Sequence, residues 1–242
     1  MARASSERGS RRKSGAVASP IGDRKQVLRA LGDLSARIAQ ELRSSVFDIA
    51  AAAQLLRFRA HEDPVIEKSV GRIMRDADRL NRIIAALAEY GRPEPLKLAR
   101  ADPEDVWDKV IDHHRGTLEA RSLVVRRTRP DDKLHMHIDR EQLMRALEAV
   151  FVNATEASPE GGMLQLSGSV DQAGVWQSVL INEGASMPPE AAARAFDLFY
   201  TTKPDSVGVG LALAQRIIAE HNGTISLESG DATRVTIALP SG

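Results

Sequence analysis

At 242 residues, with 43% hydrophobic and 27% charged side chains, the chain suits one large or two small folded domains. Its 33 basic and 33 acidic residues balance, so bulk charge directs it to neither nucleic acid nor a membrane surface. Cysteine is missing altogether, which excludes disulfides, thiolate metal sites and cysteine nucleophiles.

Residues 1–23 carry Arg3, Arg8, Arg11, Arg12 and Lys13 among Ser and Gly, with no apolar core segment. That pattern predicts a disordered basic tail, not a signal peptide. No apolar run in the chain is long enough to cross a bilayer. The expectation is a cytoplasmic protein that does not insert into membranes.

From residue 24 the pattern turns helical. Val27, Leu31, Leu34, Ile38, Leu42, Val46, Ile49, Ala53 and Leu56 recur at steps of three or four, which is one helix face. After a polar turn, Pro64 marks a second helix carrying Ile66, Val70, Ile73, Ala77, Leu80, Ile84 and Leu87 on a heptad seam. Two such helices make an αα-hairpin, and one hairpin buries little by itself. Pairing with a second copy covers every stripe, so residues 24–92 are expected to form a homodimeric four-helix bundle. With Ile38 and Leu42 inward, Gln40 points outward, and Ser44 follows one turn further along the same side. Glu41 and Arg43 flank them.

Gly91-Arg92-Pro93-Glu94-Pro95 stops the second helix and marks the domain boundary. Residues 93–242 then mix helices and strands. Helices are predicted over Pro103–Ala120 and Arg140–Ala157, the latter with Leu143, Leu147, Val150 and Phe151 inward. Strands are predicted at Leu123–Arg127, Leu134–Asp139, Met163–Val170, Trp176–Ile181, Thr224–Ser229 and Arg234–Leu239. This order predicts an α+β sandwich, one helical layer on a mixed sheet. Within it, Gly208-Val209-Gly210 opens directly onto an apolar-periodic helix. Glycines there let backbone approach a ligand, and the helix N-terminus offers free N–H donors, a setting for phosphate.

The order of motifs is more specific than any one of them. A mid-helix Glu41-Leu42-Arg43, Asn153-Ala154 in a helix, the acidic-glycine turn Asn182-Glu183-Gly184, Phe196-Asp197-Leu198-Phe199-Tyr200-Thr201-Thr202-Lys203 and the Gly208/Gly210 turn together resemble sensor histidine kinases of two-component systems. Ala88-Glu89-Tyr90-Gly91-Arg92-Pro93 and the short spacing from Lys203 to Gly208 point to the nitrogen-regulation-type branch. The resemblance implies a dimerising bundle followed by an ATP-binding domain of the gyrase/Hsp90/histidine-kinase type. It implies ATP and Mg²⁺ as cofactors, and a response-regulator receiver domain or a partner kinase as the other party. Asn153 matches the magnesium-binding asparagine, and its carboxamide oxygen is a hard ligand. Phe196 and Phe199 match the aromatic pair beside the nucleotide lid, Lys203 the lid lysine, and Gly208 and Gly210 two glycines of the second glycine box.

The departures are as informative. The phosphoacceptor histidine should stand at position 40, which is Gln40, and a carboxamide nitrogen is not basic. The proline expected at 45 is Ser45, and the water-orienting Thr or Asn is Ser44. Asn182 replaces the aspartate that reads the adenine amino group. Ser186, Ala149 and Ser206 replace a glycine, an asparagine and a glycine. His61, His113, His114, His135, His137 and His221 all lie away from the middle of the bundle. A pseudokinase with weakened ATP binding is therefore expected. The alternatives are a phosphotransferase or phosphatase working in trans, with Glu41 and Ser44 assisting, and an ATP-independent interaction module.

Overall fold

The computed structural model describes residues 42–58, 63–91, 95–131, 133–184, 187–203 and 206–241. The predicted tail, the first half of the first helix with Gln40 and Glu41, the boundary residues 92–94 and Ser186 lie outside them.

Residues 42–58 are helical (α1) and Pro64–Gly91 form α2. Pro64 stands at the first helical position, where its missing N–H is harmless. Asp63 caps the start, its Oδ1 accepting from Val65 N at 2.8 Å and Ile66 N at 3.3 Å. Each helix carries two apolar rows at seven-residue spacing. One row faces inward: Val46 packs with Ala77 and Ile84, and Ala53 and Val70 are also buried. The other row stays open, with Ile49 52%, Leu56 54% and Leu80 46% exposed. The helix pattern was legible in the sequence, but only half of the predicted seam is covered within one chain.

The second region is built on two sheets. The strands are β1 (Ala99–Ala101), β2 (Val124–Thr128), β3 (Met136–Ile138), β4 (Met163–Val170), β5 (Val175–Asn182), β6 (Thr224–Ser229) and β7 (Thr233–Pro240). The main sheet has the order β2-β4-β5-β7-β6, parallel between β2 and β4 and antiparallel elsewhere; β1 pairs with β3 separately. Along β5 burial alternates residue by residue, as one covered face requires. The helices are α3 (Pro103–His113), α4 (Arg115–Ala120), α5 (Arg140–Ala157), α6 (Pro189–Ala193) and α7 (Gly210–Glu220).

The predicted helix Pro103–Ala120 is broken at His114, and β1 and α6 were not foreseen. A three-residue strand and a five-residue helix are too short to leave a periodic signal. Helix α5 matches its predicted bounds, and Leu143, Leu147, Val150 and Phe151 are all at most 1% exposed. They meet Ile217 and Ile218 of α7 and Leu164, Leu166 and Ile237 of the sheet in one core.

Two buried carboxylates, Glu104 and Asp139, tie separate stretches of this domain together. The Glu104 carboxylate accepts from Trp176 Nε1 at 2.7 Å and Arg127 NH2 at 2.9 Å. A Cβ on Gly168 would collide with that carboxylate, so the strand needs glycine there. Asp139 joins three stretches of chain. Its carboxylate caps α5 through Glu141 N and Gln142 N, both at 3.1 Å, and accepts from Lys97 N at 2.7 Å. Its own N–H donates to His221 Nε2 at 3.0 Å, so His221 Nδ1 carries the proton shared with the Ile217 carbonyl at 2.8 Å. Burial pushes the Asp139 carboxyl up, but the three backbone donors outweigh it and hold it below its ordinary value.

Candidate functional site

The candidate site lies where the second half of α5 faces the loop from Phe199 to Gly208 and the start of α7. Helices α5 and α7 pack side by side, and a Cβ on Gly210 would lie 3.6 Å from the Ala149 methyl carbon. Asn153, one turn beyond Ala149 on α5, is half-buried. It does not simply face solvent. Lys203 Nζ donates to Asn153 Oδ1 at 3.1 Å and pairs with Glu156 Oε2 at 2.6 Å. Asn153 and Lys203, fifty positions apart, are thus brought together.

Glu156 is the partner that sequence reading passed over. It stands three residues after Asn153, a spacing that puts both side chains on one helix face, so the signal was there to use. The amide and carboxylate oxygens form a hard donor pair, and at present an ammonium group holds both.

The loop carrying Lys203 is closed at its base. Phe199 N donates to the Gly208 carbonyl at 2.8 Å. Gly208 has φ of 72°, and a Cβ there would come 2.5 Å from the Tyr200 carbonyl oxygen. Both facts demand glycine. Phe199 itself takes φ of 66°, unusual for an aromatic residue, and is 44% exposed, while Phe196 is half-buried. Neither is plain core. Ser206 Oγ, where the resemblance expects glycine, accepts from Gly208 N at 3.4 Å, a long contact. Gly210 is the first residue of α7 and is exposed; the N-cap Val209 makes no side-chain cap, and no side-chain acceptor for the helix's first N–H groups is found among the described residues. That end of an eleven-residue helix can receive an anion.

Asn182 ends β5. It is buried, and its Nδ2 has no hydrogen-bond partner among the described residues. Gly184 follows, and a Cβ there would lie 2.3 Å from the Ala157 carbonyl and 3.2 Å from Asn182 Nδ2. The turn can press against the end of α5 only as glycine. Arg121 fixes that end, donating to the Thr155 carbonyl and to the Ser158 carbonyl at 2.7 Å. Ser44 is exposed on α1, and Gln40 and Glu41, its neighbours in the motif, lie outside the described residues.

An orphaned buried amide, a glycine cradle tight against backbone, an uncapped helix start and a lysine all border this region. They fit a nucleotide whose base meets Asn182 and whose phosphates meet Lys203 and the α7 start. They fit Mg²⁺ through Asn153 Oδ1, provided Lys203 gives up that oxygen.

Comparison with known proteins supports this class. Residues 138–242 match the family of histidine kinase-, DNA gyrase B- and HSP90-like ATPases. Along nine-tenths of its length the chain is similar to sensor histidine kinases. It is 29% identical over 219 residues to the sensor histidine kinase ZraS of Escherichia coli O157:H7, covering 90% of this chain and 48% of that protein. It is 28% identical over 218 residues to the signal transduction histidine-protein kinase AtoS of Escherichia coli K12, covering 88% of this chain and 35% of that one. The chain spans about half the length of ZraS or less of such relatives. Among solved structures, histidine kinase ThkA in complex with response regulator TrrA is similar with a TM-score of 0.67 and 22% identity, covering 91% of this chain and 65% of that one. Full-length ShkA in complex with AMPPNP is similar with a TM-score of 0.64 and 20% identity, covering 86% and 45%. The fold is that of histidine kinases, and the chain is histidine-kinase-like. No helix among the described residues is long and apolar enough to cross a membrane.

Proposed function

We propose that this chain is a pseudokinase of two-component signalling, of the nitrogen-regulation-type branch, which binds ATP weakly and works by docking a response regulator or a partner kinase. The observation that carries the reading is Gln40 in Gln40-Glu41-Leu42-Arg43-Ser44-Ser45, where the resembling kinases carry their phosphoacceptor histidine. A carboxamide cannot accept phosphate as imidazole does. The described histidines offer no replacement. His221 is buried with both ring nitrogens engaged, and His114 faces Glu148 Oε1 at 3.0 Å, on the nucleotide domain.

Two surfaces of the hairpin support the docking role. The open row of Leu42, Ile49 and Leu56 with Ile73 and Leu80 suits a second copy, giving a homodimeric four-helix bundle. At about 100° per residue, Phe47 and Phe58 project from the opposite side of α1, the side of Ser44. They are 70% and 83% exposed, an apolar strip that a receiver domain or partner kinase would cover. ThkA, to which the chain is similar, is seen with a response regulator.

The nucleotide side keeps Asn153, Lys203, Gly208 and Gly210 while Asn182 and Ser206 depart from the family pattern. Losing one charged hydrogen bond outright costs about 1.5–3 kcal/mol, roughly tenfold or more in affinity, which bounds the weakening expected from Asn182. When bound, ATP would supply a transferable phosphoryl group; here Lys203 would neutralise phosphate charge and Asn153 would hold Mg²⁺. The retained set also favours a second reading, transfer or removal of phosphate in trans on a partner, with Glu41 and Ser44 assisting.

Incubation with γ-labelled ATP tests this, with Gln40→His alongside. The expected result is measurable ATP binding and no acid-labile label on the unmodified protein. Label on that protein would overturn the pseudokinase reading. Binding in neither form would favour an ATP-independent interaction module.

A further inference from the structure

We infer that Asn182 makes this site accept 6-oxopurine nucleotides as well as 6-aminopurine ones. The inference rests on the reading of the C-terminal domain as a purine-nucleotide site with residue 182 at the base. Asn182 is 3% exposed at the end of β5, flanked across the sheet by Leu164 and Thr233. Leu164 offers no side-chain acceptor, and the Thr233 hydroxyl lies 3.5 Å from Ser229 Oγ, where either oxygen can be the donor. The Asn182 amide nitrogen is left as a buried donor without an acceptor among the described residues. On its remaining side stands Gly184, whose absent Cβ would lie 3.2 Å from that nitrogen. A buried donor in this position is unfavourable until an acceptor is brought to it.

A carboxylate and a carboxamide ask different things of a base. A carboxylate only accepts, so it takes the 6-amino hydrogen of adenine and repels the 6-oxo oxygen of hypoxanthine or guanine. A carboxamide accepts through one atom and donates through the other. Against adenine, Oδ1 accepts from the 6-amino group while Nδ2 donates to N1. Against a 6-oxopurine the amide turns over: Nδ2 donates to O6 and Oδ1 accepts from N1–H. Both pairings make two neutral hydrogen bonds, and neither leaves Nδ2 orphaned. Discrimination that relied on an unpaired or repelled group therefore disappears.

Calorimetric titration of the full chain with ADP and with IDP tests this. The two nucleotides share ribose and phosphates and differ only at the 6-edge of the base. The unmodified protein is expected to bind both with dissociation constants within about tenfold of each other, and Asn182→Asp to shift the ratio at least about tenfold towards ADP. Because the ratio is read within one protein, a partly unfolded variant does not change it. An unmodified protein that prefers ADP by more than about a hundredfold, or a ratio unmoved by Asn182→Asp, would overturn the inference and leave the nucleotide reading standing. So would binding of ADP that appears only in Asn182→Asp. Absence of binding to either nucleotide in both proteins would overturn the nucleotide reading, and this inference with it.

Discussion

The nucleotide-domain core and the helical hairpin solve the same problem of apolar burial in opposite ways. Around α5, Leu143, Leu147, Val150 and Phe151 meet α7 and the sheet, and Trp107, Trp176 and Phe151 are all essentially fully buried. In the hairpin one heptad row is covered and the other is open, with phenylalanines on the far side as well. A domain that closes its own core can be read as a unit. A hairpin that leaves half its seam open buries less on its own, and in the proposed dimer it would draw part of its stability from a second copy.

The strongest way to break this contrast is Phe151→Ala. Removing a fully buried ring should cost about 3–5 kcal/mol, seen as loss of the nucleotide domain's unfolding transition in urea. Ile49→Asp or Leu80→Asp should leave that transition in place. Each should instead convert a dimer to monomer in analytical ultracentrifugation, because a charge would enter the open row that a second copy covers. A monomeric unmodified protein would remove the basis for the contrast.

Smaller effects sharpen it inside the nucleotide domain. Gly208→Ala places a side chain at φ of 72° and against the Tyr200 carbonyl, at a cost of about 1–3 kcal/mol in thermal unfolding and with weaker nucleotide binding. Asp139→Asn should cost about 0.5–2 kcal/mol at neutral pH through the α5 cap. The sign with pH follows from a folded-state pKa below the ordinary 3.8. The carboxylate's contribution is complete above 3.8 and is lost as pH falls through the lower folded value, so the variant should show a flatter acid limb in a pH series of unfolding curves. Lys203→Met should change stability by less than about 1 kcal/mol, since the pair is partly exposed. Its effect belongs in hydrogen exchange, with faster exchange at Phe199 and Lys203 if the bridge to Asn153 and Glu156 holds the loop.

Much of this was legible in the chain. Long periodic stretches such as Arg140–Ala157 and Thr224–Ser229 declared type and extent, because each buries one face and repeats its signal. Asp63 and Pro64 announced the α2 start by local chemistry alone. The elements missed, Ala99–Ala101 and Pro189–Ala193, are held by what they lie against. At the site, Asn153, Asn182, Lys203 and the glycines were readable as types in an order. Glu156 was not singled out, since a glutamate on a helix face is usually only solvated.

By itself the sequence showed two helical periodic stretches ahead of a mixed helix and strand region, a glycine turn before α7 and a glutamine, which is not a base, at position 40. These depend on residue chemistry and local spacing, which any chain carries wherever it folds. Only the tertiary structure decided that one ammonium holds both Asn153 and Glu156, and that among the described residues the Asn182 amide nitrogen is buried without an acceptor and half of each hairpin seam stays open. Those are meetings between residues fifty positions apart, or failures to meet, and a polar group's free energy is set by the partner it finds once water has been removed.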